Sequence, residues 1–495
     1  MQLRDRQSRM WILLVIATTF LLNAPALGGV KDLSSHFSFY EKNNAMSLNP
    51  HTLPQGGDNL QMESVSPDFH QDNTVTKDLP LEGLEEEDYI DFDKILAEGD
   101  DDYTEGDAID EITTPEPDLD FVSELSDPKV RRACLMRLFH GRTRLQRINV
   151  VNAFFGFRLY RSLRNQVNQT DNVLLAPAGI SITMGMIALA VGSTTHKQVY
   201  QALGFAEFVN ASIHYNDSTV HKLFSKLAHR LFRRNFGYTL RSVNDFYIKH
   251  TVVMTEGFRS QAKTYYFAEP QSVDFRDPAF LLKANQRIHK MTKGLIKEPL
   301  KSVDPNMVVI LLNYLYFKGT WEQKFPEELT HYRNFRVNEK HQLPYKGNIS
   351  MLIAVPQKFS GMKILEQEVS PTVINKWLNS MTNRTREVVF PRFKLEQSYD
   401  LVNHLKQLGL TELFTEKGDF SPMASEKVSV NWFKHQSAIT VNEEGTEGAA
   451  LTHVGFMPLS TQARFVVDRP FLFFIYEHRT DCLIFMGRVV DPSKS

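Results

Sequence analysis

Near its C-terminus the chain reads Thr440-Val-Asn-Glu-Glu-Gly-Thr-Glu-Gly-Ala-Ala-Leu-Thr-His-Val-Gly-Phe-Met-Pro-Leu-Ser-Thr-Gln462. Residues 439–442 have a strand-like pattern, and it leads into two consecutive acids, Glu443 and Glu444. Small residues and threonines follow from Gly445 to Thr452, and Gly and Thr are weak helix formers. Side chains this small enter between two existing strands without a steric clash. The stretch therefore predicts a loop that is able to become a strand.

The N-terminus has the composition of a secretory signal peptide. Three arginines among the first nine residues precede the apolar run Trp11–Leu22, and small residues follow from Ala24 to Gly29. The apolar run is too short to span a bilayer as a helix. We therefore expect residues 1–29 to form a signal peptide, and the mature protein to be secreted without membrane association.

Residues 30–128 form a polar extension that we expect to be disordered. Between Glu82 and Asp120 almost every second residue is acidic, and Lys94 is the only base. Two acidic repeats place Tyr89 and Tyr103 behind three or more acids, which is the usual setting for tyrosine sulfation. A tail that only keeps the protein soluble is the alternative. Because apolar residues are interleaved with the acids, we favour a tail that binds a basic protein surface.

Cysteines and glycosylation sequons are consistent with a large secreted glycoprotein. The two cysteines, Cys134 and Cys482, lie in different sequence contexts, so we favour two free or buried thiols over a disulfide. Asn-X-Ser/Thr sequons predict glycosylation at Asn168, Asn210 and Asn383.

From Lys129 onward the sequence predicts one globular domain, residues 129–495. Helical patterns dominate its first part, and apolar strand patterns dominate its C-terminal part. The run Met307–Phe317 is almost continuously apolar, as expected of a central strand that is buried on both faces. The order of elements indicates a mixed helix and sheet fold.

One predicted helix, residues 220–234, has a basic face without any acid. The candidate binding residues on this face are Lys222, Lys226, Arg230, Arg233 and Arg234, with His229 among them. Like charges four residues apart destabilise a helix, and a polyanion would relieve this cost. The chain has no base-reading motif, so a sulfated polysaccharide or its own acidic tail fits better than nucleic acid. Arg142, Arg144 and Arg147 are candidates to extend the patch.

Several separated segments of the sequence resemble the serpins. They are residues 173–181, 313–321, 441–446, 468–475 and 485–489. The resemblance implies an α+β fold with a large central β-sheet, two further sheets, eight to nine helices and an exposed reactive loop near the C-terminus. It also implies an inhibitor rather than an enzyme, and no cofactor or metal.

The resemblance further implies a suicide-substrate mechanism. A serine protease would attack the reactive bond Leu459–Ser460, and the freed loop would then enter the large sheet. The residues implied in the loop hinge are Glu443, Glu444, Gly445, Thr446, Gly448, Ala449 and Ala450. Their small size favours an inhibitor, and Glu447 would face solvent if the inserted strand alternates in and out.

Within the family, the acidic tail, the basic helix and residues 456–460 look like a glycosaminoglycan-dependent thrombin inhibitor of plasma. This likeness implies a monomer that inhibits thrombin and chymotrypsin-like proteases, with heparin or dermatan sulfate as activator. Leu459 suits a chymotrypsin-like pocket, whereas thrombin-like proteases prefer Arg. The missing affinity for thrombin must then come from a remote contact, for which the acidic tail is the candidate.

The chain departs from the family pattern after Lys340. Serpins have some two dozen more residues here, which form a strand and a turn of the second sheet. Their absence suggests a shortened isoform or an incomplete gene model. It leaves two alternatives to an inhibitor open, a non-inhibitory carrier and an inactive short form. A separate enzymatic activity is not indicated, because the chain has no nucleotide loop, metal-ligand cluster or nucleophile elbow. His435 and His478 are expected to be ordinary packed or surface histidines rather than catalytic ones.

Overall fold

The computed structural model describes residues 10–17, 127–232, 238–292, 294, 300–333, 339–357, 361–382, 386–444 and 464–494. The acidic tail up to residue 126, including Tyr89 and Tyr103, lies outside these ranges, as do Arg233, Arg234 and Asn383. The loop from Gly445 to Ala463, with Leu459 and Ser460, is outside them too. No helix of the described residues is long and apolar enough to cross a membrane.

Eleven α-helices and fourteen strands lie in the described ranges. The helices are α1 Pro128–Phe139, α2 Arg144–Arg164, α3 Pro177–Ala190, α4 Ser193–Leu203, α5 Phe205–Val209, α6 Asp217–Phe232, α7 Glu256–Tyr266, α8 Pro278–Met291, α9 Met362–Glu368, α10 Pro371–Ser380 and α11 Val402–Gln407. The strands are β1 Met10–Ala17, β2 Val173–Leu175, β3 Tyr238–Lys249, β4 Gln271–Val273, β5 Val309–Gly319, β6 His331–Arg333, β7 Glu339–Pro344, β8 Ile349–Val355, β9 Arg386–Pro391, β10 Phe393–Asp400, β11 Val430–Val441, β12 Arg464–Val466, β13 Phe471–Glu477 and β14 Cys482–Val489.

Helix α2 shows how local sequence places the helices. It begins after Thr143, whose hydroxyl accepts from the backbone N–H of Gln146 while the Gln146 side chain accepts from the backbone N–H of Thr143. This capping box satisfies two backbone donors that have no partner within the helix. The helix therefore begins at Arg144, directly after this cap. The helices outnumber the expected eight to nine because α5, α9 and α11 have only five to seven residues.

The strands form three sheets, as the resemblance implies. The central sheet has the order β10-β11-β5-β3-β4, a second has the order β2-β14-β13-β8-β7, and a third has the order β12-β9-β1-β6. Strand β1 comes from the apolar run that was assigned to the signal peptide. The domain boundaries themselves stay a prediction. Cys134 and Cys482 are both free and buried, as expected.

Strands β5 and β11 form the middle of the central sheet. They are parallel to each other, with Asn313 opposite His435 and Phe317 opposite Ile439. On their outer sides both pair antiparallel, β5 with β3 and β11 with β10. Ten of the eleven residues of β5 are buried, which confirms the prediction of a central strand from its apolar run.

A polar cluster joins β5 to β11 inside the core. Nδ1 of His435 lies 2.7 Å from Oδ1 of Asn313, and Nε2 accepts from the backbone N–H of Ala176 at 3.2 Å. The Asn313 amide donates to Asn244 on β3 and to Thr183 on α3. Because Nε2 accepts, the ring is neutral and Nδ1 is its donor. His435 is therefore a packed histidine, whereas His478 is an exposed surface histidine whose Nε2 lies 2.6 Å from the hydroxyl of Ser350.

The buried histidine makes acid stability a test of this cluster. Burial lowers the pKa of His435 to about 3, from 6.5 in an unfolded chain. Between these pH values the unfolded chain takes up a proton that the folded chain does not, so the histidine costs stability as the pH falls. The free energy of unfolding of the wild type should fall by about 2 kcal/mol more than that of His435→Gln between pH 7 and pH 5. Urea unfolding at both pH values measures the difference.

The exposed His140 provides the control for that experiment. His140→Gln should lose stability with falling pH as the wild type does. An acid dependence of His435→Gln equal to that of the wild type would contradict the assignment of a neutral, buried imidazole.

Candidate functional site

The loop that contains the predicted reactive bond begins at the end of β11 and returns at β12. The last residue of β11 is Val441, and β12 begins at Arg464 in the third sheet. The loop therefore starts beside the parallel pair β5–β11 and ends in a different sheet. A chain that turns back at the end of β11 runs antiparallel to both β11 and β5, because those two strands point the same way.

The first hinge acid, Glu443, is held by three groups. The guanidinium of Arg392 donates to its Oε2 at 2.7 Å and 3.2 Å, and the hydroxyl of Thr330 donates to its Oε1 at 3.0 Å. The backbone N–H of Phe325 donates to its carbonyl at 2.8 Å. Glu443 is only 2% exposed, so its carboxylate takes its hydrogen bonds from these protein groups rather than from water.

The second hinge acid, Glu444, faces the turn that follows β5. The backbone N–H of Trp321 donates to the carbonyl of Glu444 at 2.9 Å, and Nζ of Lys324 lies 3.2 Å from its Oε1. The indole N–H of Trp321 donates to the carbonyl of Asn442 at 3.0 Å, while its ring stacks on Tyr345 at 4.1 Å. The start of the loop is therefore fixed by side chains and backbone of the segment that continues β5.

Sequence reasoning missed Arg392, Thr330 and Lys324 as partners of the hinge. Arg392 is the single residue between β9 and β10, directly after Pro391. The only sequence signal for Arg392 as a hinge partner is the presence of a base between two apolar strands. This signal does not identify the acid with which the base pairs.

The basic face of α6 is narrower than its periodicity indicates. Lys222 and Lys226 are exposed, whereas Nε of Arg230 lies 3.7 Å from Oε2 of the buried Glu477. The placement of His229 on the solvent face was wrong, because it is 7% exposed. Periodicity describes one isolated helix, and it does not include the elements that pack against its last turns.

The three upstream arginines all make contacts within the protein. Arg142 donates to Asp481 at 2.8 Å and to Asn375 at 2.6 Å. Arg147 is 8% exposed and donates to the backbone carbonyl of Phe139 at the end of α1, while Arg144 lies over a tyrosine ring. The buried Arg147 therefore does not extend the patch, whereas Arg142 and Arg144 are half-buried and their part in the patch stays a prediction.

Two of the three predicted glycosylation sites are on the described surface. Asn168 lies in the loop after α2 and Asn210 ends α5, and both are exposed. Exposure is compatible with glycan attachment, which stays a prediction.

The ion pair at the hinge predicts a loss of stability that can be measured. Arg392→Met should lower the free energy of unfolding by about 3 kcal/mol, because it leaves the buried Glu443 carboxylate without its charged partner. The double variant with Glu443→Gln should recover part of that loss. Urea unfolding of the single and double variants measures the coupling.

An exposed ion pair serves as the matched control. Lys263 and Glu269 lie 3.4 Å apart with both side chains at least 70% exposed, so Lys263→Met should cost less than about 1 kcal/mol. Equal losses in Lys263→Met and Arg392→Met would show that Glu443 does not rely on Arg392.

Comparison with known proteins identifies the family. The family model described as "Serpin (serine protease inhibitor)" matches residues 150–342 and 340–492. The two matched blocks meet at residues 340–342, where the sequence lacks the segment expected after Lys340. The match covers the β5–β11 pair and the hinge, which are the parts of the site described above.

Curated relatives and solved structures agree with this match. Heparin cofactor 2 of Rattus norvegicus is 49% identical over 464 residues, which cover 88% of this chain and 94% of the relative. Heparin cofactor 2 of Homo sapiens is 48% identical over 477 residues, covering 91% and 93%. Mouse protein-Z dependent protease inhibitor is 26% identical with a TM-score of 0.62, covering 73% of this chain and 99% of its own.

A more distant structure supports the fold alone. Human thyroxine-binding globulin is 22% identical with a TM-score of 0.63, and the match covers 71% of this chain and 100% of that chain. The central sheet, the hinge and the family match lead to the same conclusion: the chain belongs to the serpin family of serine protease inhibitors.

Proposed function

We propose that this chain is a secreted suicide-substrate inhibitor of thrombin and of chymotrypsin-like serine proteases, accelerated by heparin or dermatan sulfate. The observation that carries the proposal is the parallel pair β5–β11 beside the anchored start of the loop. The similarity to heparin cofactor 2 supports the choice of polysaccharide activator. Such an inhibitor is no enzyme, acts as a monomer and regulates blood coagulation.

The chemistry begins at the bond between Leu459 and Ser460. The serine hydroxyl oxygen of the protease attacks the carbonyl carbon of Leu459, and the bond to Ser460 breaks. The serine proton passes through the protease's histidine to the new amino group of Ser460, and Leu459 is left as an ester on the protease. The loop is then attached to the inhibitor only at its hinge, at Glu443 and Glu444.

The freed loop gains a place in the central sheet. A strand formed by residues 445–452 would run antiparallel to both β5 and β11, so two antiparallel pairings would replace one parallel pairing. Antiparallel pairs are slightly more stable per residue. The small residues at Thr446, Gly448, Ala449 and Ala450 let the loop enter. The attached protease moves with Leu459 away from its original position.

Insertion also has a cost, which is located in the core. The backbone hydrogen bonds between β5 and β11 and the contact between His435 and Asn313 must first break. This barrier keeps the intact loop outside the sheet until cleavage releases its far end.

The choice of target depends on residues far from the reactive bond. Leu459 fits a chymotrypsin-like pocket, so contacts of the acidic tail must supply the affinity for thrombin. In this proposal the tail, with sulfated Tyr89 and Tyr103, rests on the basic face of α6. Heparin or dermatan sulfate binds Lys222 and Lys226, with Arg233 and Arg234 beyond them, and displaces the tail. The released tail then docks on a basic surface of thrombin.

Arg230 has a different part in this binding site. Its guanidinium contacts the buried Glu477, so it is already engaged by the protein. Lys222 and Lys226 are exposed and therefore present their charges to a polyanion more directly.

A non-inhibitory carrier is the second candidate function. The segment missing after Lys340 favours it, and thyroxine-binding globulin, a protein of this fold, is named for binding a small molecule. The small residues of the hinge favour the inhibitor. A covalent complex with a protease distinguishes the two functions, because a carrier forms none.

Covalent complex formation tests the inhibitor directly. The chain should form an SDS-stable complex with chymotrypsin and, when dermatan sulfate is present, with thrombin. Thr446→Arg should abolish the complex and turn the chain into a cleaved substrate, because an arginine at that position must enter the core. Glu447→Arg, one residue further on the opposite face of the inserted strand, should still form the complex. Absence of any complex in the wild type would favour the carrier or an inactive short form.

Deletion of the tail separates the two targets. A chain without residues 30–120 should inhibit chymotrypsin at the wild-type rate and lose about tenfold or more of its accelerated thrombin inhibition, equivalent to ~1.4 kcal/mol of transition-state binding. Acceleration should also weaken as salt rises. Second-order inhibition rates measure both effects.

Charge variants of α6 complete that experiment. The double variant Lys222→Ala and Lys226→Ala should elute from a heparin column at lower salt than the wild type does. Lys263→Ala, which changes an exposed lysine of α7, should elute at the same salt as the wild type.

For the tail deletion, equal losses of chymotrypsin and thrombin inhibition would contradict the proposed role of the tail.

A further inference from the structure

Strand β1 occupies a slot between two strands that do not pair with each other. Residues 12–17 pair antiparallel with all six residues of β9, and residues 10–12 pair antiparallel with β6. The other edge of β9 pairs with β12. Among the described strands, β6 therefore joins the third sheet only through β1.

The slot suits an apolar strand. Val388, Val389 and Phe390 of β9 are consecutive and at most 3% exposed, so both faces of β9 are covered. Strands in such surroundings have continuous apolar sequences rather than alternating ones. Residues 10–17 read Met-Trp-Ile-Leu-Leu-Val-Ile-Ala, without a polar side chain. With the slot empty, the edge of β9 would expose a row of unpaired backbone donors and acceptors.

The strands on both sides of the slot lead directly to the hinge. Thr330 precedes β6 and donates to Glu443, and Arg392 follows β9 and donates to the same carboxylate. The other edge of β9 pairs with β12, the strand at which the loop returns to the fold. Directly after β12, the backbone N–H of Val467 donates to the carbonyl of Val389. An occupant of the slot thus holds in place the elements that anchor both ends of the loop.

We propose that the slot between β6 and β9 is a strand-acceptor site for an extended apolar segment of about eight residues, and that Met10–Ala17 fills it in the full-length chain. This site goes beyond the proposed inhibition, and it is separate from the polyanion face and from the place where the loop inserts. Removal of residues 1–29 empties it. The exposed edges of β6 and β9 then accept another apolar strand by backbone pairing.

Proline substitution in the full-length chain tests the site. The chain is made in a cytosol, where residues 1–29 are retained, and amide hydrogen exchange is followed at residues 386–390. Leu14→Pro should speed exchange there and at residues 442–444, because proline lacks the N–H and does not fit inside a paired strand. Leu21→Pro, four residues beyond β1, should leave exchange unchanged. A synthetic peptide of residues 10–17 with lysines at both ends should restore protection to the Leu14→Pro chain.

A disulfide trap tests the same register without depending on the folding of a proline variant. Ile16 lies opposite Glu387, and directly opposed antiparallel residues are close enough for a disulfide. The double variant Ile16→Cys and Glu387→Cys should cross-link on mild oxidation, whereas Thr19→Cys with Glu387→Cys should not. No cross-link in the first pair, or equal exchange at residues 386–390 in the Leu14→Pro and Leu21→Pro chains, would overturn the proposal. Failure of protease inhibition alone leaves these readouts intact.

Discussion

The parallel pairing of β5 with β11 is the arrangement on which the other features of this molecule depend. Both strands pair antiparallel on their outer sides, and only their shared boundary is parallel. A parallel boundary has slanted hydrogen bonds and is slightly less stable, so the sheet can improve its pairing by accepting a strand there. The contact between His435 and Asn313 crosses the same boundary. This parallel boundary is thus also bridged by buried polar groups, and they must separate before a strand can enter there.

The hinge connects this boundary to the third sheet. Glu443 follows β11 by two residues, yet its carboxylate binds Arg392 beside β9 and Thr330 beside β6. Separating a buried carboxylate from its charged partner costs free energy. The ion pair therefore keeps the start of the loop next to the third sheet. The loop returns at β12, which pairs with β9. One strand, β9, is therefore adjacent to both ends of the loop, and any change in its pairing affects them together.

The elements with strong periodicity were predicted best from the sequence. Strand β5 is displaced by only two residues from the predicted run Met307–Phe317. The site residues were harder. The helical period places His229 on the basic face of its helix, yet His229 is buried. Arg147 was expected to extend the basic patch, but it donates to a backbone carbonyl at the end of α1. Periodicity records which side of a helix is apolar, but it carries no information on which other elements cover that helix.

By itself the sequence determined the fold class, the central apolar strand, the basic helix and the acidic composition of the tail, since each depends on residues that are neighbours along the chain. Only the tertiary structure decided which strands flank the parallel boundary, that Glu443 meets Arg392, and that Met10–Ala17 pairs with β9. These contacts join residues that are between about fifty and several hundred positions apart. They form because burial of apolar surface brings distant strands together, and the backbone and charged groups enclosed there must then find partners.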